Sequence, residues 1–182
     1  MDWYALVKFL HVASAVIWIG GAFVMVVLGA RADRARNDAE IVGVVRQVAW
    51  AAERVYVPAS VATLVFGVIA ATLGTLWTTL WVILGLVGVA VSMAIGILAL
   101  TPRAKRVEAG HAASGVTPAI VAIGREILTI AKFDMVLLFV VVADMVLKPE
   151  AGDWVTLAVM AVLLVAAAVA WLPAAFRKPA VA

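Results

Sequence analysis

Cysteine is missing from this chain of 182 residues, and charged side chains are scarce. The absence of cysteine excludes disulfides, thiolate nucleophiles and thiolate metal sites. Asp, Glu, Lys and Arg make up only 14% of the chain, whereas a soluble domain usually carries about a quarter. So few charges cannot cover the surface of a soluble globule. The composition therefore indicates a chain whose outer solvent is lipid.

Apolar residues fill most of the sequence, which is 66% hydrophobic. They form five long stretches, at about 4–30, 41–73, 76–100, 118–148 and 154–172. As helices rising about 1.5 Å per residue, these stretches are long enough for a hydrocarbon layer of about 30 Å. We predict an all-α, polytopic transmembrane bundle of about five spans. Residues 1–182 form a single integral membrane domain, with a four-helix core plus one added helix.

Tryptophan is abundant, with seven residues, and most of them lie near the ends of the apolar stretches. Membrane interfaces favour tryptophan because its ring is apolar while its N–H seeks water. The six that fit such a belt are Trp3, Trp50, Trp77, Trp81, Trp154 and Trp171. Their positions support the predicted spans.

Basic residues are concentrated in every other connection between the predicted spans. The first and third connections contain Arg31, Arg34, Arg36, Arg103, Lys105 and Arg106, whereas the second connection has no charge. By the positive-inside rule, the N-terminus lies outside and the C-terminal tail, with Arg177 and Lys178, lies in the cytoplasm. Orientation explains the net charge of +3 better than nucleic-acid binding does.

The first apolar stretch also has a feature of a cleaved signal. Ala30-Arg31-Ala32 has the small-x-small pattern of a signal-peptidase site. The start of the chain lacks a basic segment, however, and the stretch is longer than a usual signal peptide. We expect the first helix to be retained.

Four side chains on the outer side are candidates for chemistry, because ionisable groups within a membrane are costly and often functional. Lys8 and His11 lie three residues apart, on one face of the first helix. Asp144 and Met145 lie at a similar depth near the end of the fourth span. We predict that all four form one layer, in which the carboxylate offsets the positive charge.

Two interpretations of this layer remain open. In the first, Lys8 extends to the interface and His11 hydrogen-bonds a neighbouring helix. In the second, His11 is an axial ligand of haem iron or a metal ligand, Asp144 or a backbone carbonyl orients its ring, and Met145 is a potential second ligand of the haem iron. His111, in a polar stretch that we expect to be a cytoplasmic loop, lies too far away to be that ligand.

A second charged layer and a row of small residues have structural interpretations. On the inner side, Glu53 and Arg54 are expected to form a clamp with Lys132 and Asp134. A small-xxx-small row on the third span allows close helix packing, within the monomer, in a homo-oligomer or against a partner membrane protein. The row consists of Gly88, Ser92 and Gly96.

The segment Lys8-Phe9-Leu10-His11, followed by Trp18-Ile19-Gly20-Gly21, resembles a bacterial group of small membrane proteins. The group includes the copper-resistance protein CopD, HemJ-type protoporphyrinogen oxidases and a predicted integral membrane family of unknown function. The ending Met145-Val146-Leu147-Lys148-Pro149 is most similar to that last family. The resemblance implies a helical bundle of the bacterial inner membrane. Through its HemJ branch it implies a haem-associated position at His11, with Lys8 as the basic neighbour.

The chain departs from the HemJ pattern, which has a Pro-Arg pair about two heptads after the histidine, where this chain has only apolar residues. The sequence also lacks a methionine- or histidine-rich copper tract and known catalytic motifs, so it predicts no metal site and assigns no catalytic residues. Three functions follow: a b-type haem redox protein, a non-catalytic membrane subunit or scaffold, and a path for ions or metals. The sequence leaves open whether the protein is an enzyme.

Overall fold

The computed structural model describes residues 2–175, and all regular elements in that range are helices. Five long helices follow one another: α1 (Trp3–Arg34), α2 (Asp38–Leu73), α3 (Leu80–Ser114), α4 (Pro118–Leu147) and α5 (Trp154–Ala175). The predicted all-α bundle is therefore confirmed. The basic tail residues Arg177 and Lys178 lie outside the described residues.

Side chains at the ends of the helices explain several boundaries. Asp2 accepts a hydrogen bond from the backbone N–H of Ala5 at 3.0 Å, which caps the start of α1. Thr117 caps α4 in the same way, and Pro118 follows as the first helical residue. Lys148 ends α4 in the left-handed conformation, at φ 49°.

The connection between α1 and α2 is shorter than the predicted charged loop. α1 continues to Arg34, and α2 already begins at Asp38. Asn37 caps α2, because its side chain accepts from the N–H of Glu40 at 3.1 Å. Arginine and alanine are good helix formers, so the basic residues after the apolar stretch do not end the helix.

Both α2 and α3 contain a π-helical turn just before a proline. The two turns are Ala52–Tyr56, before Pro58, and Ile95–Leu100, before Pro102. Proline lacks an N–H and its ring clashes with the carbonyl four residues earlier, which here belongs to the π-helical turn in each case. The wider turn accommodates this clash, so neither proline ends its helix.

The third helix differs most from the sequence prediction. It begins at Leu80 rather than Leu76, and it continues past Pro102 to Ser114. The hydroxyl of Thr101 donates to the carbonyl of Gly96 at 2.9 Å, which supports the backbone next to the proline. The residues around His111, which were expected to form a loop, are therefore helical. Thr101-Pro102 indicates the end of a helix, but the π-helical turn before it lets the helix continue.

The bundle is arranged around α4, which packs against α1, α3 and α5. By length and composition, α1, α2, α3 and α5 are the described helices apolar enough to cross a membrane. α4 carries Lys132, Asp134 and Asp144, but its neighbours surround it and many of its residues are buried. Short connections join α4 to α3 at one end and to α5 at the other. α4 is therefore the central helix of the bundle and crosses the same layer as its neighbours.

Exposed tryptophans mark the two faces of this layer. Trp3, Trp77 and Trp154 are exposed near one face, and Trp50 is exposed near the other. Trp154 and Trp171 on α5 are about 26 Å apart at 1.5 Å per residue, close to the thickness of the hydrocarbon. The apolar side chains on the outer surface of the bundle lie between these faces, as a lipid environment requires.

The first four helices extend beyond this layer on the basic side and form a second core, which we name the helical cap. It contains the end of α1, the start of α2, the end of α3 and the start of α4. Its buried side chains are Ala32, Ile41, Val42, Val45, Val107, Ile120, Val121 and Ile127. The cap was not predicted as a core. Ala32 and Val107 lie in stretches that were expected to be loops, and its other buried residues lie at the charged starts of the second and fourth predicted spans.

Candidate functional site

His11 is bound to the backbone of the second helix. Its Nδ1 lies 2.7 Å from the carbonyl oxygen of Thr63. A carbonyl oxygen can only accept, so Nδ1 carries the hydrogen and donates. In the neutral ring, Nε2 is then left with a free lone pair. Of the two partners that the sequence suggested for the ring, Asp144 or a backbone carbonyl, the structure has the carbonyl.

Gly67 provides the space for the imidazole ring. A Cβ at Gly67 would lie 2.9 Å from both Nδ1 and Cε1 of His11, closer than a side chain tolerates. Thr63 and Gly67 are one helical turn apart, so one face of α2 supplies both the acceptor and the open surface. Sequence reasoning missed both residues, although their four-residue spacing of small side chains was a signal for close packing.

Lys8 lies one turn before His11, towards the start of α1. Its side chain is exposed, and its Nζ lies 5.3 Å from the centre of the Tyr4 ring. This contact is a cation–π interaction at the edge of the bundle. The position agrees with a lysine that reaches the interface while its stem stays on apolar surface.

Asp144 and Met145 face α3 instead. Asp144 is only 1% exposed, and its Oδ2 lies 3.5 Å from the position that a Cβ of Gly85 would occupy. The Cε of Met145 fills the same space next to Gly85. Both oxygens of Asp144 are buried without a hydrogen-bond partner among the described residues.

In the predicted outer layer, His11 and Asp144 face different helices. His11 contacts α2, whereas Asp144 and Met145 contact α3, and Lys8 is exposed on α1. Within residues 2–175, no hydrogen bond or ion pair joins Asp144 to His11 or Lys8. Small residues on α2 and α3 decide these contacts, and the sequence alone does not say which helices are neighbours.

The inner charged layer forms ion pairs different from those expected. Arg125 bridges Asp33 and Asp38, with nitrogen–oxygen distances of 3.0 and 2.9 Å. Arg103 pairs with Glu126 at 3.1 Å, and Arg31 pairs with Glu40 at 2.7 Å. A clamp between helices is present, but it belongs to the helical cap.

Residues of the expected clamp have other surroundings. The guanidinium of Arg54 lies 5.1 Å from the ring centre of Trp50, on its own helix. Asp134 lies beside Ser92 of α3, and its Oδ1 is buried without a partner among the described residues. The predicted network of Glu53 and Arg54 with Lys132 and Asp134 is therefore wrong, because Arg54 stays at the surface of α2.

The small-residue row on α3 serves packing within the chain. Gly88 contacts Val141 of α4 so closely that a Cβ would collide with its Cγ2, and Ser92 is buried. Gly96 has nothing within 4 Å of its would-be Cβ. Two members of the row are thus used against α4, which leaves little of it for a contact between protomers.

His111 lies on the end of α3, in the helical cap rather than in a loop. Its Nδ1 is buried, and within the described part of the chain it has no hydrogen-bond partner. His11 lies near the start of α1, and the cap is at the opposite end of the bundle. The expectation that the two histidines are far apart agrees with this arrangement.

The apolar helices, the interfacial tryptophans and the central charged helix define a polytopic integral membrane protein. Residues 5–149 match the predicted integral membrane protein family DUF2269, and the chain belongs to this family. The match covers α1 to α4 and ends just after Lys148, so α5 lies outside it. This limit agrees with a four-helix core plus one added helix. Among curated proteins and solved structures, none matches the chain significantly.

Proposed function

We propose that this protein is a multi-pass protein of the bacterial inner membrane that holds b-type haem at His11 and has a redox role. The hydrogen bond from His11 Nδ1 to the carbonyl of Thr63 carries the proposal. Histidines that ligate metals usually donate their other ring N–H to a carbonyl or carboxylate, which fixes the tautomer and the ring orientation. His11 has this partner, and its Nε2 lone pair is free to bind iron.

The neighbouring residues fit such a ligand. Gly67 lets the Nδ1–Cε1 edge of the ring approach α2, so the ring is held from that edge while the residue stays partly exposed. Lys8, one turn nearer the interface, would pair with a haem propionate carboxylate. The similarity of the Lys8–His11 segment to HemJ-type proteins supports the same position.

A bound haem would supply one-electron chemistry, with a potential set by its axial ligands and by its surroundings. The protein's part is to hold the imidazole, to balance the carboxylates and to exclude water. Met145 faces Gly85 on α3, so we do not assign it as a ligand of the iron.

The test is the absorption spectrum of the full chain, purified in a mild detergent from haem-sufficient cells. The parent protein and His111→Ala should show a Soret band, and His11→Ala should lose it. His11→Asn is the second variant, because its amide nitrogen lies in the place of Nδ1 and can still donate to Thr63, while it ligates iron poorly. It should also lose the band and keep the thermal unfolding of the parent.

A colourless parent protein, or equal bands in the His11 and His111 variants, would overturn the haem proposal. His11 would then be a packed intramembrane histidine. The protein would be a non-catalytic subunit or scaffold, or a path for ions or metals. Asp134 and Asp144, buried without hydrogen-bond partners at the oxygens named above, are the residues that such a path would use.

A further inference from the structure

A partly open cavity of about 470 Å³ lies among α3, α4 and α5. Leucine, valine, methionine, phenylalanine, alanine and glycine form nearly all of its lining. Within the described residues, Asp144 is the one charged side chain that lines it. Cavities of this size and composition, with few polar groups, are typical of sites for small apolar molecules.

Asp144 is an unusual side chain for such a lining. It is 1% exposed, and both of its carboxylate oxygens lack a hydrogen-bond partner among the described residues. Lys148, one turn along the chain, does not neutralise it, because its Nζ lies over the ring of Trp81 at 5.4 Å. Lys8 is likewise occupied by Tyr4. A buried carboxylate without a partner is costly, and a bound cation would offset that cost.

The position of Asp144 also sets the shape of the ligand. It lies three residues before the end of α4, about 5 Å from the membrane face, whereas Phe133 lines the cavity about 16 Å deeper at 1.5 Å per residue. The end of the cavity at Asp144 is therefore near water, and the remainder of the cavity is surrounded by apolar side chains.

We propose that this cavity binds a lipophilic organic cation, whose positive group pairs with Asp144 and whose apolar body lies between α3, α4 and α5. A metal ion fits less well, because hard cations need several oxygen ligands and the lining offers one carboxylate. A lipid chain would fill the apolar part but would leave Asp144 unpaired. The site is separate from His11 and does not depend on haem.

The probes are tetraphenylphosphonium and tetraphenylborate, two ions of nearly the same size and shape but of opposite charge. Isothermal titration of the full chain in an uncharged detergent should show saturable one-to-one binding of the cation and none of the anion. Asp144→Asn, which removes the charge and keeps the shape, should weaken cation binding at least tenfold. Asp134→Asn, on the same helix but outside the lining, should change it less than twofold.

A second variant guards against misfolding of Asp144→Asn. Ala161→Phe adds apolar volume to the cavity from α5 and leaves the carboxylate in place, and it should also abolish saturable binding. The thermal unfolding of each variant is compared with that of the parent protein. Equal binding of both ions, or cation binding unchanged in Asp144→Asn, would overturn the proposal. A lipid that stays bound and blocks the cation, as seen by native mass spectrometry, would also overturn it.

Discussion

Gly67 on α2 lies against the imidazole of His11, with only 2.9 Å from its would-be Cβ to the nearest ring atoms. The ring cannot simply move away, because its Nδ1 donates to the carbonyl of Thr63 on the same helix. The two contacts together fix the ring between α1 and α2. The glycine is therefore required by the histidine next to it rather than by the backbone, which is helical there.

The first prediction concerns Gly67→Ala. In an ordinary helix this change is stabilising by up to about 1 kcal/mol. Here the methyl group should displace His11, weaken its hydrogen bond and lower the free energy of unfolding by about 1–2 kcal/mol. Unfolding in detergent measures the effect, with Gly20→Ala as the matched control because nothing lies within 4 Å of its would-be Cβ. Equal stability of the two variants would contradict the tight contact.

The second prediction concerns the ion pairs of the helical cap. Arg125 bridges Asp33 and Asp38 and is about half exposed. Exposed pairs contribute about 0–1 kcal/mol each. Arg125→Ala should therefore lower the free energy of unfolding by about 1 kcal/mol at low salt. The loss should shrink at about 1 M salt, where charges are screened within about 3 Å.

Arg34→Ala is the control for this measurement. It removes the same charge from the same side of the protein, from a residue that forms no ion pair among residues 2–175. Its stability should stay close to that of the parent protein at both salt concentrations. A loss equal to that of Arg125→Ala would assign the effect to net charge instead of the bridge.

The sequence predicted an all-helical bundle of five long helices because each helix contains a long apolar stretch. Thr117-Pro118 marks the start of α4, and the apolar stretch that ends near Lys148 marks its end. The error at Thr101-Pro102 has a physical cause. Proline usually indicates the end of a helix, but the π-helical turn before it lets α3 continue.

The neighbours of the candidate residues were harder to predict. Depth along each helix follows from counting residues, so His11 and Asp144 were expected at one level. Which helix each side chain faces depends on small residues of other helices, namely Gly67 for His11 and Gly85 for Asp144. A single sequence does not pair such glycines with their partners. The proposed roles of these residues in binding haem stay predictions.

The third prediction compares two glycines of α3. A Cβ at Gly88 would collide with Val141, a β-branched side chain with little freedom to move. Gly88→Ala should separate α3 from α4 and lower the free energy of unfolding by about 1–3 kcal/mol. A Cβ at Gly96 would have nothing within 4 Å. Gly96→Ala should therefore leave the free energy of unfolding unchanged or raise it slightly.

Thermal unfolding and gel filtration of both variants distinguish packing within the chain from packing between chains. If the row bound a second protomer, Gly96→Ala would change the oligomeric state as strongly as Gly88→Ala does. The structure predicts that only Gly88→Ala has an effect, and that this effect is on stability.

The last prediction is the orientation in the membrane. The helical cap contains the basic connections, so the positive-inside rule predicts that the cap faces the cytoplasm and that the start of α1 faces outside. The absence of cysteine allows a direct test on the full chain. A membrane-impermeant maleimide applied to intact cells should label Thr78→Cys and Ala151→Cys, which are exposed in the two connections at the outer face. Ala35→Cys and Ala113→Cys, exposed in the cap, should be labelled only after the membrane is permeabilised. The parent chain gives the background, and the reverse pattern of labelling would overturn the orientation.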